Sequence, residues 1–463
     1  MKKCIIIFSI FLLNPIINGV NKSSSFSFIE TNTFVPLSQN DNIDGIRSTN
    51  DDIVEEPNYH IGNLELNENV GGELSYLNPY CFYKFTSNEK QITRLNLYHN
   101  FVYNRGVTCD VYKKLGNNDY YMHLFSYDSS TDDNSSDFPE VPYFPGETFL
   151  YRLRDKDGVN VRFSILGYFE KIENTNCVSF DYNTGYFKTF NFNLSEERNV
   201  PKQNPIGQPN NPHQDLRNTI QNTTISPYKN IGKFRTYISK FDESEKTFVT
   251  GNVNVGSGFL LNSNVVGTAA HCVISGMYKY SHNSDLTENE VCYGVWPSRP
   301  NIDLGLSGNY LHYPTITPLK AYFSLNYYFK SGDDYRNFDW AFLLINPSQS
   351  YGNFFNIYPD DGTANTLSLF STAIANGYPS NGINSGKTQY ERNVTYFSRE
   401  SKYIFQYYAN VTGGQSGGPL YIKFNNIYYV IGILTGNNAS GINFSVNYNS
   451  SLLNLFNFIK NGG

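Results

Sequence analysis

Apolar positions in this chain alternate with polar ones far more often than they recur every three or four residues. From residue 58 to 172 the text breaks into short stretches such as CFYKFTS, ITRLNLYH, TCDVYKK, TFLYRLRD and NVRFSILGYF, separated by turn signals such as PGE and KDG. A period of two puts one face of a strand in a core and the other in water, so this region predicts an antiparallel β-sandwich. Residues 173–225 contain VPKQNPIGQPNNPHQD, dense in Pro, Asn and Gln. They read as a linker or the end of a pro-segment. Apolar strands resume at 226 and run almost to 463, so the predicted fold class is all-β throughout. The exception is NSSLLNLFNFIK, where Leu452, Leu455, Phe456 and Ile459 fall at i, i+3, i+4 and i+7. That spacing predicts a short amphipathic helix, with Ser450 or Ser451 as its cap.

The first residues, MKKCIIIFSIFLLNPIING, are two lysines, an apolar run and a breaker. They read as a secretory signal peptide over 1–19, followed by a leader rich in Ser, Asn and Asp over 20–57. The apolar run is too short to span a bilayer, and no later stretch is long enough. Export agrees with sequons at Asn134, Asn193, Asn222, Asn393 and Asn438. It also places the cysteines where pairing is the default; local pairing would join Cys81 to Cys109 and Cys272 to Cys292, leaving Cys177. The chain of 463 residues is 40 % hydrophobic and 16 % aromatic, enough to build cores and exclude wholesale disorder. A net charge of −6 argues against nucleic acid or an anionic membrane as the main partner. In the first half His60, His99 and His123 are scattered and lack metal-ligand spacing.

The candidate chemistry lies in VTGGQSGGPL, residues 411–420, where four glycines surround Ser416. As G-x-S-x-G the stretch fits the nucleophile elbow of α/β-hydrolases, whose acid and histidine follow the serine. No His, Asp or Glu follows Ser416, so that triad has no partners. The opposite order, His then Asp then Ser, needs both partners upstream. The second half offers His271, His282 and His312, of which His271 sits in VVGTAAHCV. Among Asp303, Asp333, Asp334 and Asp339, only Asp339 has a long apolar strand, WAFLLI, directly behind it.

TAAHC, DWAFLLI and GGQSGGP, in that order, resemble the histidine, aspartate and nucleophile motifs of the trypsin-like (chymotrypsin-fold) serine peptidases. The resemblance covers roughly residues 226–463. It implies a two-barrel catalytic domain in which His271 is general base, Asp339 orients it and Ser416 attacks a peptide carbonyl. Gly414 and Ser416 would supply the oxyanion-hole N–H groups. The separation of His271 from Asp339 is longer than the family leads one to expect, so the Tyr- and Asn-rich stretch 275–335 reads as an insertion. Gln415 stands where vertebrate trypsins carry the aspartate that pairs with a newly cut N-terminus. GGQSG and GYP are most similar to the glutamyl endopeptidase branch, yet VIGILTG has Leu434 and Thr435 where that branch carries its glutamate-binding histidine. Glutamate specificity is therefore not implied. The pocket would be lined by Asn410, Val411, Thr412, Leu434 and Thr435, a neutral set favouring neutral or apolar side chains. The first half resembles the pre-peptidase β-sandwich modules of secreted peptidases, mainly in PGETFLYRLRDKDGVNVRFSILGY. Protein or peptide substrates are implied, with no cofactor, no metal, no nucleic acid and no membrane span; residues 20–225 leave room for an intramolecular pro-segment. Two other readings stand beside the peptidase: an inactive peptidase-like binding protein, and an esterase using the same triad.

Overall fold

The five alternating stretches become strands Tyr80–Thr86, Gln91–His99, Val107–Lys114, Thr148–Asp155 and Val161–Lys171 in the computed structural model. The structure describes residues 53–462 except 56–60, 65–68, 75–79, 87–90, 100–106, 115–119, 130–139, 144–146, 156–160, 172–175, 184–185, 193–203, 207–216, 243–246, 275–298, 329–334, 347–351, 353, 381–385 and 439. The signal peptide, the leader as far as residue 52, and the sequons at Asn134 and Asn193 lie outside the described residues. Among those described, no helix is long and apolar enough to cross a membrane.

The fold is all-β. In the first half one sheet runs in the order 53–55, 120–128, 107–114, 148–155, 80–86, 61–63. A second contains 140–143, 91–99, 161–171 and 69–74. Their inward positions meet in one core, with Val107, Val111, Phe149, Tyr151 and Leu153 against Leu74, Val141, Tyr143, Phe163 and Ile165. This is the sandwich that alternation predicts, since each strand turns every second side chain to the facing sheet.

The second half holds two curled sheets. In the first, Asn301–Leu304, Ile231–Asp242, Thr247–Leu260, Val265–Thr268, Ala341–Ile345 and Pro318–Ser324 pair in that order. Ile302 and Ile316 exchange backbone hydrogen bonds of 2.9 Å each, which closes the six strands into a barrel. In the second, Tyr390–Asn393, Ile374–Gly377, Pro419–Phe424, Ile427–Asn437, Asn443–Asn447, Ile404–Tyr408 and Thr395–Arg399 pair in that order. Val394 alone connects the first of these strands to the last, so this sheet also curls onto itself. Arg399, fully buried, grips Asp360 through two contacts of 2.6 and 2.7 Å, and Asn447 donates to the same carboxylate at 3.2 Å.

Several expectations need correction. Asn301–Leu304 and Pro318–Ser324 are barrel strands, so the stretch 275–335 is not an insertion as a whole. Within 173–225, strands Asn176–Asp181 and Phe187–Asn191 form a hairpin. Its first strand pairs with Pro318–Ser324 of the barrel and its second touches the sandwich at Phe187↔Glu140. The sandwich sheet and the barrel sheet are thereby one sheet of twelve strands. Residues further along the same region reach the second barrel, where Ile206 bridges Phe397 and Asn218–Thr219 pair with Tyr390–Glu391. Composition marks such residues as linker because Pro and Asn dominate between the strands, not within them.

Cys81 and Cys109 are free, because both lie opposite Leu153 from opposite sides of its strand. Two strand spacings, about 9.5 Å, exceed the reach of a disulfide. Cys272 is also a free thiol, and Cys292 lies outside the described residues. The C-terminal helix spans Ser450–Lys460 and buries the four predicted residues, but its cap is Asn449, whose side chain accepts the Leu452 N–H at 2.9 Å. Asn449 keeps an extended backbone while Ser450 and Ser451 are already in the first turn, so only Asn449 is placed to cap.

Candidate functional site

Val265–Thr268 runs into a short helix, Ala270–Ile274, whose second residue is His271. The flanking Ala269, Ala270 and Cys272 are buried, which leaves the imidazole, 29 % exposed, at the rim of the barrel. Asp339 comes between the turn Tyr335–Phe338 and the strand Ala341–Ile345, and the fully buried Trp340 anchors it from behind. Its carboxylate is 5 % exposed and meets His271 twice. The His271 backbone N–H donates to Oδ1 at 2.9 Å, and Nδ1 donates to Oδ2 at 2.7 Å. An acceptor on Nδ1 fixes the tautomer and leaves Nε2 for a second proton partner.

Burial disfavours the charged imidazole. The Asp339 carboxylate outweighs that cost, helped by Cys272, and holds the His271 pKa well above the ordinary value of 6.5. Of the competing aspartates, Asp303 is engaged elsewhere. Asp303 pairs with Arg235 at 2.8 Å and accepts from Thr315 at 2.7 Å; Asp333 and Asp334 lie outside the described residues.

Ser416 lies in the turn that leads into Pro419–Phe424. Its carbonyl accepts the Ser257 N–H at 2.7 Å and the Cys272 thiol at 3.4 Å, so the loop is stitched to the first barrel next to His271. Its hydroxyl donates to the Thr435 carbonyl at 3.4 Å. Glycine is required around it on two counts. Gly414 has φ +89°, and a Cβ there would stand 2.5 Å from the Ser380 nitrogen. Gly417 has φ +83°, and a Cβ would come within 2.2 Å of the Ser257 carbonyl.

Ser257 joins the site from the GSGFLL strand. Its buried hydroxyl donates to the Gly414 carbonyl and accepts the Tyr378 N–H, both at 2.8 Å. That bond turns the Gly414 carbonyl toward the protein. A serine between two glycines in an apolar strand is the one signal that could have found it. Arg217, whose guanidinium reaches Thr412 and Gln415, carries no such signal, because it lies in a segment read as linker.

Of the five pocket candidates, Asn410, Thr412 and Thr435 are partly exposed, whereas Val411 and Leu434 are buried in the core of the second barrel. The strand's alternation explains the split at 434 and 435, since adjacent residues point to opposite faces. Asn437 and Asn443, not anticipated, both donate side-chain N–H groups to the Val411 carbonyl, at 3.2 and 3.4 Å.

The solved structures that resemble the chain include three proteases. The Glu endopeptidase in complex with MPD is 18 % identical, covering 54 % of this chain and 98 % of its own, with a TM-score of 0.38. The thermostable serine protease AL20 from an extremophilic microorganism is 14 % identical over 51 % of this chain and 98 % of its own, TM-score 0.37. Protease Anisep from Arthrobacter nicotinovorans is 16 % identical over 52 % of this chain and 98 % of its own, TM-score 0.37. No protein-family model matches the chain, and no curated protein matches it.

The arrangement offers an imidazole oriented by a buried carboxylate, and a hydroxyl on a glycine-bounded turn that Cys272, the residue after His271, contacts at the Ser416 carbonyl. Such a set suits acyl transfer.

Proposed function

We propose that the chain is an exported serine endopeptidase in which His271, Asp339 and Ser416 form the triad. The observation that carries this reading is the two-point hydrogen bonding of His271 to Asp339, next to a serine whose loop demands glycine. His271 takes the Ser416 proton as the hydroxyl attacks the substrate carbonyl, then returns it to the leaving amine. Attack requires the Ser416 hydroxyl to leave the Thr435 carbonyl for His271 Nε2. Asp339 stays ionised and steadies the imidazolium. The N–H groups of Gly414 and Ser416 receive the oxyanion; one such donor is worth about 3 kcal/mol in the transition state.

Asn410, Thr412 and Thr435 line the substrate pocket. Gly436, where a Cβ would meet nothing within 4 Å, leaves the adjoining wall open. A neutral or apolar side chain before the cut suits such a pocket, because its three lining side chains are uncharged. The intact Asp339–His271 pair weighs against an inactive binding protein, which has no use for an oriented base.

Fluorophosphonate labelling of the full chain beside Ser416→Ala tests the reading. Wild type should label and the variant should not. A folded protein that stays unlabelled both uncut and after a cut ahead of the first barrel ends the proposal; where it labels, matched amide and ester substrates separate peptidase from esterase.

A further inference from the structure

The loop carrying Gly414 and Ser416 is held from behind by a residue that precedes both barrels. We propose that Arg217 is the positioning residue for this loop, and that it makes the uncut chain competent without a newly generated N-terminus. This inference rests on the peptidase reading of the site.

Arg217 Nη1 donates to Thr412 Oγ1 at 2.7 Å and to Gln415 Oε1 at 3.3 Å. Gln415 Oε1 also accepts the Thr412 N–H at 3.1 Å, and the Gln415 N–H donates to the Thr412 carbonyl at 3.1 Å. Three side chains and three backbone groups therefore clamp residues 412–415 from one point. Gln415 is only 1 % exposed, so its amide oxygen sits where an acceptor needs a donor. Gly413 and Gly414 lie inside the clamped stretch. They impose little conformation of their own, so the aim of the Gly414 N–H must be set by their surroundings.

The guanidinium is itself fixed by backbone. Asn218 and Thr219 pair with Glu391 and Tyr390, and Ile220 donates to the Gln389 carbonyl at 2.9 Å. The Tyr390 ring lies under the guanidinium, 5.3 Å from its carbon. A cation delivered by a paired strand needs no cleavage to arrive. A neutral Gln415 suits it, because the loop is tied by two directed hydrogen bonds from one nitrogen of a rigid guanidinium and no buried carboxylate has to be neutralised.

The test compares fluorophosphonate labelling rates of the full chain, Arg217→Ala, Arg217→Lys, Thr412→Val and Ser416→Ala. Wild type should label as an uncut band that retains the sandwich. Arg217→Ala should label about 10- to 100-fold more slowly, the cost of a misplaced reacting group. Its thermal midpoint should stay near that of wild type, millimolar guanidinium should restore part of the rate, and Arg217→Lys should recover less than the wild-type rate. Thr412→Val, which deletes the hydroxyl that accepts the shorter contact, should slow labelling even if Arg217→Ala does not fold. Wild-type rates in a folded Arg217→Ala, or in Thr412→Val where Arg217→Ala does not fold, overturn the proposal. So does labelling confined to chains cut ahead of the first barrel. A wild type unlabelled both as the uncut chain and after a cut ahead of the first barrel, or a labelled Ser416→Ala, removes the peptidase reading itself and this inference with it.

Discussion

His271 and Asp339 meet through two atoms of each residue, and this decides how the site should respond to pH. The proposed base is the neutral imidazole, while the folded protein raises the His271 pKa well above 6.5. Labelling of Ser416 should therefore rise with pH, with a midpoint above 6.5. In Asp339→Asn the charge that opposes burial is gone, so the midpoint should fall toward the ordinary value or below it. The maximal rate should fall by about three to four orders of magnitude, the cost of a wrongly set tautomer. A labelling–pH profile of the two proteins checks this; an unchanged midpoint in Asp339→Asn would show that the carboxylate does not govern the base.

At the scale of elements, a buried ion pair ties together three segments of the second barrel. Asp360 lies ahead of the helix Ala364–Phe370, Arg399 ends the strand Thr395–Arg399 and Asn447 ends Asn443–Asn447, yet all three converge on a single carboxylate. Removing one partner of such a pair strands the other charge in the interior. Arg399→Ala should lower stability by about 3–5 kcal/mol in chemical denaturation. Arg399→Met with Asp360→Leu should recover much of that loss, because well-packed apolar pairs often replace buried ion pairs at little cost. A double variant no better than the single one would mean that shape, not charge, sets the penalty.

In the whole molecule the hairpin 176–191 does what no part of either domain does alone. It lies between the sandwich and the barrel as part of one sheet, and Cys177, Val178, Phe180 and Phe187 belong to the barrel's core. Phe190 and Phe192 also pack on Phe458 of the C-terminal helix, with ring centroids 5.8 and 6.2 Å apart. A chain starting at 226 would bare the edge of Pro318–Ser324 and leave those core positions empty. Unpaired strand edges recruit other chains. The truncated form should melt below the full chain and scatter light at concentrations where the full chain does not. Equal melting and clean monomer would show that the shared sheet adds no stability.

Some of this protein was settled by its order of residues. Alternation marks the sandwich strands because burial on one face is a local demand, written at every second position. The order of His271, Asp339 and Ser416 excludes a nucleophile elbow, and glycines at 414 and 417 announce backbone that no side chain can follow. Pairing across the chain was beyond reach. That Cys81 and Cys109 flank the same residue, that Cys177 in a Pro- and Asn-rich stretch pairs with Ser324 of the barrel, and that Arg217 stands behind Gln415 depend on partners 28, 147 and 198 residues apart. Local sequence records which face a residue turns to the core. The fold alone decides which distant backbone supplies the hydrogen-bond partner on the other side.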